Sequence, residues 1–170
     1  MATIMAKGNF GTVVDVTAKE PVYVRWMIRA DMTHTLLIEK GCFEFPWTEE
    51  DFVKCLKQRN CIGMVAERQK TFGRIGGFML YELHKKRMHL LNFAVDPSLH
   101  RSGIGRQMIS RLVDKLSDER RTSITCEVRE SNLPAQLFLK RMGFKATLVL
   151  KGFYEETPQE DAYLFRYTRD

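Results

Sequence analysis

With 170 residues, 44% of them hydrophobic, the chain can bury one sizeable core, and its length argues for a single domain without repeats or low-complexity tracts. No apolar run approaches the roughly 18 residues of a membrane span, and the first residues lack the charged-then-apolar pattern of a secretory leader, so a cytoplasmic protein with no membrane partner is expected. The net charge of +6 suits a polyanionic ligand as well as a nucleic-acid-rich neighbour, and charge alone does not choose; no direct nucleic-acid contact is expected.

Residues 1–20 read as an N-terminal extension. Residues 12–16 alternate weakly, enough for a short strand, but Gly8, Asn9 and Gly11 favour a loose segment. From Pro21 the pattern sharpens, and 21–170 reads as the domain. Val22, Val24 and Trp26, with Ile28, alternate as a first strand. Asp31 is a candidate cap for a helix through Leu36, Leu37, Glu39 and Lys40 that Gly41 would close. After Phe45-Pro46-Trp47, Thr48 is the N-cap candidate for a helix over 49–58. Its first turn carries Glu49, Glu50 and Asp51, where the helix dipole favours negative charge.

Strands are predicted over 61–67 and 75–83, with a polar turn at 69–74 between them. The basic run His84-Lys85-Lys86-Arg87 reads as a solvated hairpin turn leading to a strand over 88–95. That strand is stopped by Asp96-Pro97, because proline removes a ladder donor. Arg101, Ser102, Gly103, Ile104, Gly105 and Arg106 follow, and then an apolar stripe of Ile104, Met108, Ile109, Leu112, Val113 and Leu116 at helical spacing.

A buried strand therefore feeds a short loop, and the loop feeds a helix whose first turn holds two glycines and two arginines. The first amides of a helix lack internal partners and sit at the positive end of its dipole. Glycine allows close approach of an anion to those amides, and the arginines add full charge. The spacing is neither a Walker A loop nor a dinucleotide fingerprint. Anion binding is the reading taken here, against a plain strand-to-helix turn. Beyond it come a strand over 123–128, a short helix over 133–142 with Pro134 in its first turn, and two last strands at 145–151 and 162–167. The order predicts a mixed α/β domain. Cys42, Cys55, Cys61 and Cys126 have no CxxC spacing and read as buried or half-buried thiols. The four histidines have no metal-ligand spacing, and no metal site is expected.

The string from Arg101 to Arg106 resembles the acetyl-CoA signature Arg/Gln-x-x-Gly-x-Gly/Ala of the GCN5-related N-acetyltransferases (GNAT). Phe45-Pro46-Trp47, Asn92-Phe93-Ala94-Val95-Asp96-Pro97, Glu127-Val-Arg129-Glu-Ser131-Asn132 and Met142-Gly143-Phe144 extend the likeness, which is nearest to the RimI type that acetylates a ribosomal protein N-terminus. The resemblance implies a central, mostly antiparallel twisted sheet flanked by about four helices, with the strands at 88–95 and 123–128 splayed to admit pantetheine. It implies acetyl-CoA as co-substrate and a primary amine as acceptor: a protein N-terminus, possibly that of a ribosomal protein, with a small amine or lysine side chain as the alternative.

On that resemblance, the backbone of Phe93, Ala94 and Val95 would pair with pantetheine, and Arg101, Ser102, Gly103, Ile104, Gly105 and Arg106 would hold the pyrophosphate. Asn132 would also contact CoA. Glu127 matches the RimI-type general base for direct attack without a covalent enzyme intermediate; its competing role is an ion pair with Arg129 or Arg106. The sequence departs from the family where the tyrosine that protonates the thiolate is expected: that position is Leu139, beside Phe138. Tyr154, of Phe153-Tyr154 in the last hairpin, is the remaining candidate acid, and with Phe45 and Trp47 it is also a candidate wall of the acceptor site. A rival reading is a CoA-binding regulatory domain with weak catalysis.

Overall fold

The computed structural model describes residues 19–169; the weak strand pattern at 12–16 lies outside them. Seven strands are joined in one sheet in the order β1-β2-β3-β4-β5-β7-β6. The strands are β1 (Val22–Trp26), β2 (Cys61–Arg68), β3 (Ile75–Leu83), β4 (Arg87–Val95), β5 (Ser123–Arg129), β6 (Lys145–Tyr154) and β7 (Glu160–Thr168). The helices are α1 (Met32–Cys42), α2 (Glu49–Leu56), α3 (Ile104–Val113) and α4 (Leu133–Arg141). The β1/β2, β5/β7 and β7/β6 pairs are antiparallel, and β4/β5 is parallel. This is the mostly antiparallel α/β class expected, with four helices among the described residues. The described residues divide into two compact units: 19–81 with Asn92–Leu112, and Glu82–Leu91 with 113–169.

In the first unit the core forms where β3 runs buried without interruption from Ile75 to Tyr81, the pattern of a strand covered on both faces. Gly76 and Gly77 are there because α3 packs against them. A Cβ on Gly76 would stand 2.8 Å from Ile104 Cδ1, and one on Gly77 would stand 2.9 Å from Met108 Sδ and from Ala94 O. The predicted stripe of α3 is buried at Ile104, Met108, Ile109 and Leu112. Thr48 caps α2 as expected: its Oγ1 accepts from the Asp51 amide at 3.3 Å, and Asp51 accepts from the Thr48 amide at 2.8 Å.

Two local expectations are corrected in this unit. Asp31 stands at the N-cap position of α1, but its side chain makes no cap hydrogen bond there. Its carboxylate accepts from the Ile28 amide at 2.8 Å and from Arg25 at 2.8 and 2.9 Å, closing a 3-10 turn (Arg29–Asp31) instead. That turn ends the first strand at Trp26, short of Ile28. Nor does Gly41 end the helix, which runs on to Cys42 and closes when the Phe43 amide reaches Glu39 O at 3.0 Å.

In the second unit β5 is central, with β7 antiparallel on one side over seven residue pairs and the start of β4 parallel on the other. The parallel ladder is only three pairs long, Arg87↔Ser123 to His89↔Thr125. Ile124, Phe144, Ala162 and Phe165 are buried here. β6 continues to Tyr154, three residues beyond the expected end, through a register shift between Leu150 and Tyr154. Among the described residues none of the four cysteines is in a disulfide; three are buried and Cys42 is half-buried, and burial pushes the Cys42 thiol up to about 11 and Cys126 up to about 12.

Candidate active site

The anion-binding loop lies wholly in the first unit. After β4, Pro97–Leu99 makes a 3-10 turn with Asp96 capping it by accepting from the Ser98 amide at 2.9 Å. Arg101 then takes a positive φ of 62° and Gly103 one of 89°, which reverses the chain before the helix. Ser102 is buried: its hydroxyl donates to Leu99 O, and its carbonyl accepts from the Glu20 amide at 3.1 Å. The first bond of the helical ladder runs from Gln107 N–H to Gly103 O at 3.1 Å. The amides of Ile104, Gly105 and Arg106 therefore precede the ladder and are the groups an anion can use. Arg101 and Arg106 are exposed, and neither is in an ion pair among the described residues.

The register of the signature needs one correction. Gly103 and Gly105 place its first position, Arg or Gln, three residues before Gly103, at His100 rather than Arg101. His100 is exposed, and its Nε2 lies 2.9 Å from Val95 O, which also accepts from Cys42 Sγ at 3.3 Å. The carbonyl of Val95 is thus engaged within the chain. Alternation along β4 buries Ala94 and leaves Phe93 and Val95 half-buried on the other face.

Phe45 and Trp47 belong to the same unit and divide in role. Phe45 is 42% exposed. Trp47 is half-buried, edge-on to Phe52 at 5.5 Å, and Phe52 in turn meets Phe78 at 5.5 Å. The Trp47 amide donates to Glu39 Oε1 at 2.8 Å, while Glu39 Oε2 accepts from Asn92 Nδ2 of β4 at 3.0 Å. Glu39, 1% exposed, so ties the Phe45–Trp47 loop to β4, and burial pushes its carboxyl up. Sequence reading assigned Glu39 only helix propensity. Its burial was hidden because the acid sits on the packed face of a weakly patterned helix.

In the second unit Glu127 lies on β5, and the ion pairs seen among the described residues join it to neither Arg129 nor Arg106. Arg129 is held by Glu156 at 3.0 Å and Glu160 at 3.2 Å, with its guanidinium 3.7 Å above the Tyr154 ring. Arg106 is in no ion pair among the described residues. The partner of Glu127 is His89: Nε2 lies 3.1 Å from Oε2. His89 Nδ1 lies 2.9 Å from Thr125 Oγ1, so both ring nitrogens are engaged. Sequence reading missed His89. Its alternation with Leu91 and Phe93 along β4 fixes its face, but only the parallel register, which no local pattern states, puts it beside Thr125 and Glu127.

Tyr154 is half-buried, and burial pushes its hydroxyl up to about 12, with Arg129 opposing and the charge of Glu127 adding to the rise. The raised hydroxyl gives up its proton to a departing thiolate less readily than an ordinary tyrosine does. Leu139 is buried in α4 at 5% exposure, an aliphatic side chain with no proton to give. Asn132 is the N-cap of α4, and its Oδ1 accepts from the Ala135 amide at 3.1 Å. Among the described residues no group of three His, Cys, Asp or Glu side chains could hold a metal ion, and no helix is long and apolar enough to cross a membrane.

A sequence model of the Acetyltransferase (GNAT) family matches residues 32–144. The chain is 27% identical over 135 residues to the [ribosomal protein bS18]-alanine N-acetyltransferase of Escherichia coli K12, covering 79% of this chain and 88% of that one. The crystal structure of the ribosomal-protein-S18-alanine N-acetyltransferase from Escherichia coli superposes with a TM-score of 0.76 at 24% identity, over 86% of this chain and 93% of that one. Arabidopsis thaliana NAA60 in complex with a bisubstrate analogue superposes with a TM-score of 0.76 at 20% identity, over 86% and 97%.

Proposed function

Because this chain belongs to the GNAT acetyltransferase family, and is on that ground an acetyl-CoA-dependent N-acetyltransferase, we propose that its acceptor is the α-amine of a protein N-terminus, in the manner of the bS18-alanine enzyme to which it is similar. A ribosomal protein is the natural candidate for that partner. The observation that carries the reading is the carboxylate of Glu127, on β5, whose Oε2 lies 3.1 Å from His89 Nε2 and whose Oε1 has no partner among the described residues. An N-terminal amine titrates near about 8, so much of it is protonated at neutral pH, and a carboxylate beside it can take the proton directly or through water.

In this proposal the pyrophosphate of acetyl-CoA rests on the amides that open α3, between Arg101 and Arg106, and pantetheine runs along Phe93, Ala94 and Val95. A backbone amide of that strand faces the thioester oxygen as the tetrahedral intermediate forms. The acceptor amine, deprotonated by Glu127, attacks the thioester carbonyl directly, and CoA leaves as thiolate. Phe45 and Tyr154 wall the acceptor, with Trp47 fixing the loop that carries Phe45. Asn132 contributes through the cap it gives α4, with a direct contact to CoA as the further expectation.

Leu139 favours a second reading, a CoA-binding domain with slow chemistry, because no proton donor stands where the family places one. One assay separates the readings: release of CoA thiol from acetyl-CoA with peptides beginning in alanine or in other residues, with an N-terminally blocked lysine peptide, and with a polyamine. Fastest release with an alanine-first peptide is expected. Equal or faster release with polyamine or blocked peptide contradicts the N-terminal reading, and no release with any acceptor favours the binding domain. In the same assay Tyr154→Phe is expected to raise the peptide KM several-fold with kcat within about twofold, as for a lost hydrogen bond to substrate. A kcat loss of tenfold or more at unchanged KM would restore Tyr154 as the acid.

A further inference from the structure

We propose that His89 is a positioning residue for Glu127: it binds one carboxylate oxygen and leaves the other aimed and available for the acceptor's proton. The inference rests on the reading of Glu127 as base and adds the residue through which that base is oriented.

The parallel register sets His89 directly beside Thr125, and Glu127 follows two residues later on the same face of β5. The imidazole is gripped at both ends, by Thr125 Oγ1 at 2.9 Å and by Glu127 Oε2 at 3.1 Å. Thr125 is 3% exposed, so its hydroxyl has few alternatives to the ring. A hydroxyl can donate or accept. With the Thr125 O–H donated to Nδ1, the imidazole carries its proton on Nε2, the ring nitrogen that faces Glu127 Oε2 at 3.1 Å. Oε1 has no partner among the described residues and keeps its lone pairs. The side chains of His89 and Glu127 are 18% and 19% exposed, half-screened from water, where a fixed donor orients a carboxylate better than mobile solvent does.

Nearby charge does not compete for the same nitrogen. His84, whose ring centroid is 6.3 Å from that of His89, is engaged at its own Nε2 by Glu82 at 3.1 Å. Arg129, the nearest strong cation along β5, is held by Glu156 and Glu160. His89 is the cationic or donor side chain whose contact with Glu127 is seen among the described residues, with Nε2 3.1 Å from Oε2.

The test is a double-mutant cycle on the full chain, assayed by CoA thiol release with an alanine-first peptide, with acetyl-CoA affinity and thermal midpoint measured alongside. His89→Leu is expected to lower kcat about tenfold while the Kd for acetyl-CoA stays within about twofold. His89→Gln, whose amide can still donate to the carboxylate, should recover most of the loss. The pair His89→Leu with Glu127→Gln should be no slower than Glu127→Gln alone, since a residue that acts through Glu127 has nothing left to orient. Losses that multiply in the double variant, or a His89→Leu enzyme as fast as the wild type beside a slow Glu127→Gln, overturn this inference and leave the base in place. A Glu127→Gln enzyme at the wild-type rate overturns the base itself, and the positioning role with it.

Discussion

Glu127→Gln is expected to lower kcat at least tenfold at pH 7 while leaving acetyl-CoA affinity within about twofold. The amide keeps the size of the side chain and can still engage His89, 3.1 Å away, but it has no basic oxygen for the acceptor's proton. General-base catalysis is worth about 10²–10⁴ where the base does all the work. The expected loss sits at or below the lower end because an amine with a pKa of about 8 is already partly neutral at pH 7. The same argument fixes the pH dependence. As pH rises through about 8 the acceptor loses its proton to bulk water, and the deficit of the variant should shrink. Steady-state thiol release at pH 7 and pH 9 reads both quantities. A deficit that stays constant or grows with pH, or no deficit at pH 7, removes Glu127 from proton transfer.

Gly103→Val should weaken acetyl-CoA binding about a hundredfold, about 2.8 kcal/mol at 1.4 kcal/mol per tenfold. Gly103 holds a φ of 89°, where a β-branched side chain is strained, so valine must pull the loop out of the shape that presents the amides of Ile104, Gly105 and Arg106. The glycine also stands at the mouth of the helix, where a side chain would keep a diphosphate off those amides. Calorimetric titration with acetyl-CoA measures the loss, and the thermal midpoint measures how much of the strain reaches the fold. Affinity within threefold of the wild type would place the diphosphate elsewhere.

What could be read before any coordinates was the information carried by short segments. The Thr48–Asp51 capping box, the stop at Asp96-Pro97, and the stripe of Ile104, Met108, Ile109 and Leu112 are each decided within a few residues, and the structure has them as expected. The loop from Arg101 to Arg106 was legible for the same reason, apart from its register, which counting from Gly103 moves to His100.

What escaped depends on partners that the local pattern does not name, several of them far along the chain. Asp31 looked like a helix cap until Arg25 and the Ile28 amide claimed it. Glu39 was read only for its helix propensity, yet Trp47 and Asn92, eight and 53 positions away, make it a buried anchor. His89 looked inert because its contacts to Thr125 and Glu127, 36 or more positions away, exist only once the strand at 123–129 lies parallel beside it. The partner of Glu127 was sought among arginines for their charge, and Arg129 was already spoken for by Glu156 and Glu160 in the last hairpin. Periodicity reports which face a residue is on; strand register decides whom it meets there.

The account turns on a diphosphate bound at the opening of α3, and the most direct measurement is a paired calorimetric titration of the full chain with acetyl-CoA and with S-acetylpantetheine, which carries the same thioester without the diphosphate. Acetyl-CoA binding at least a hundredfold tighter than S-acetylpantetheine is the predicted result. Equal affinities, or no binding of acetyl-CoA, would contradict it.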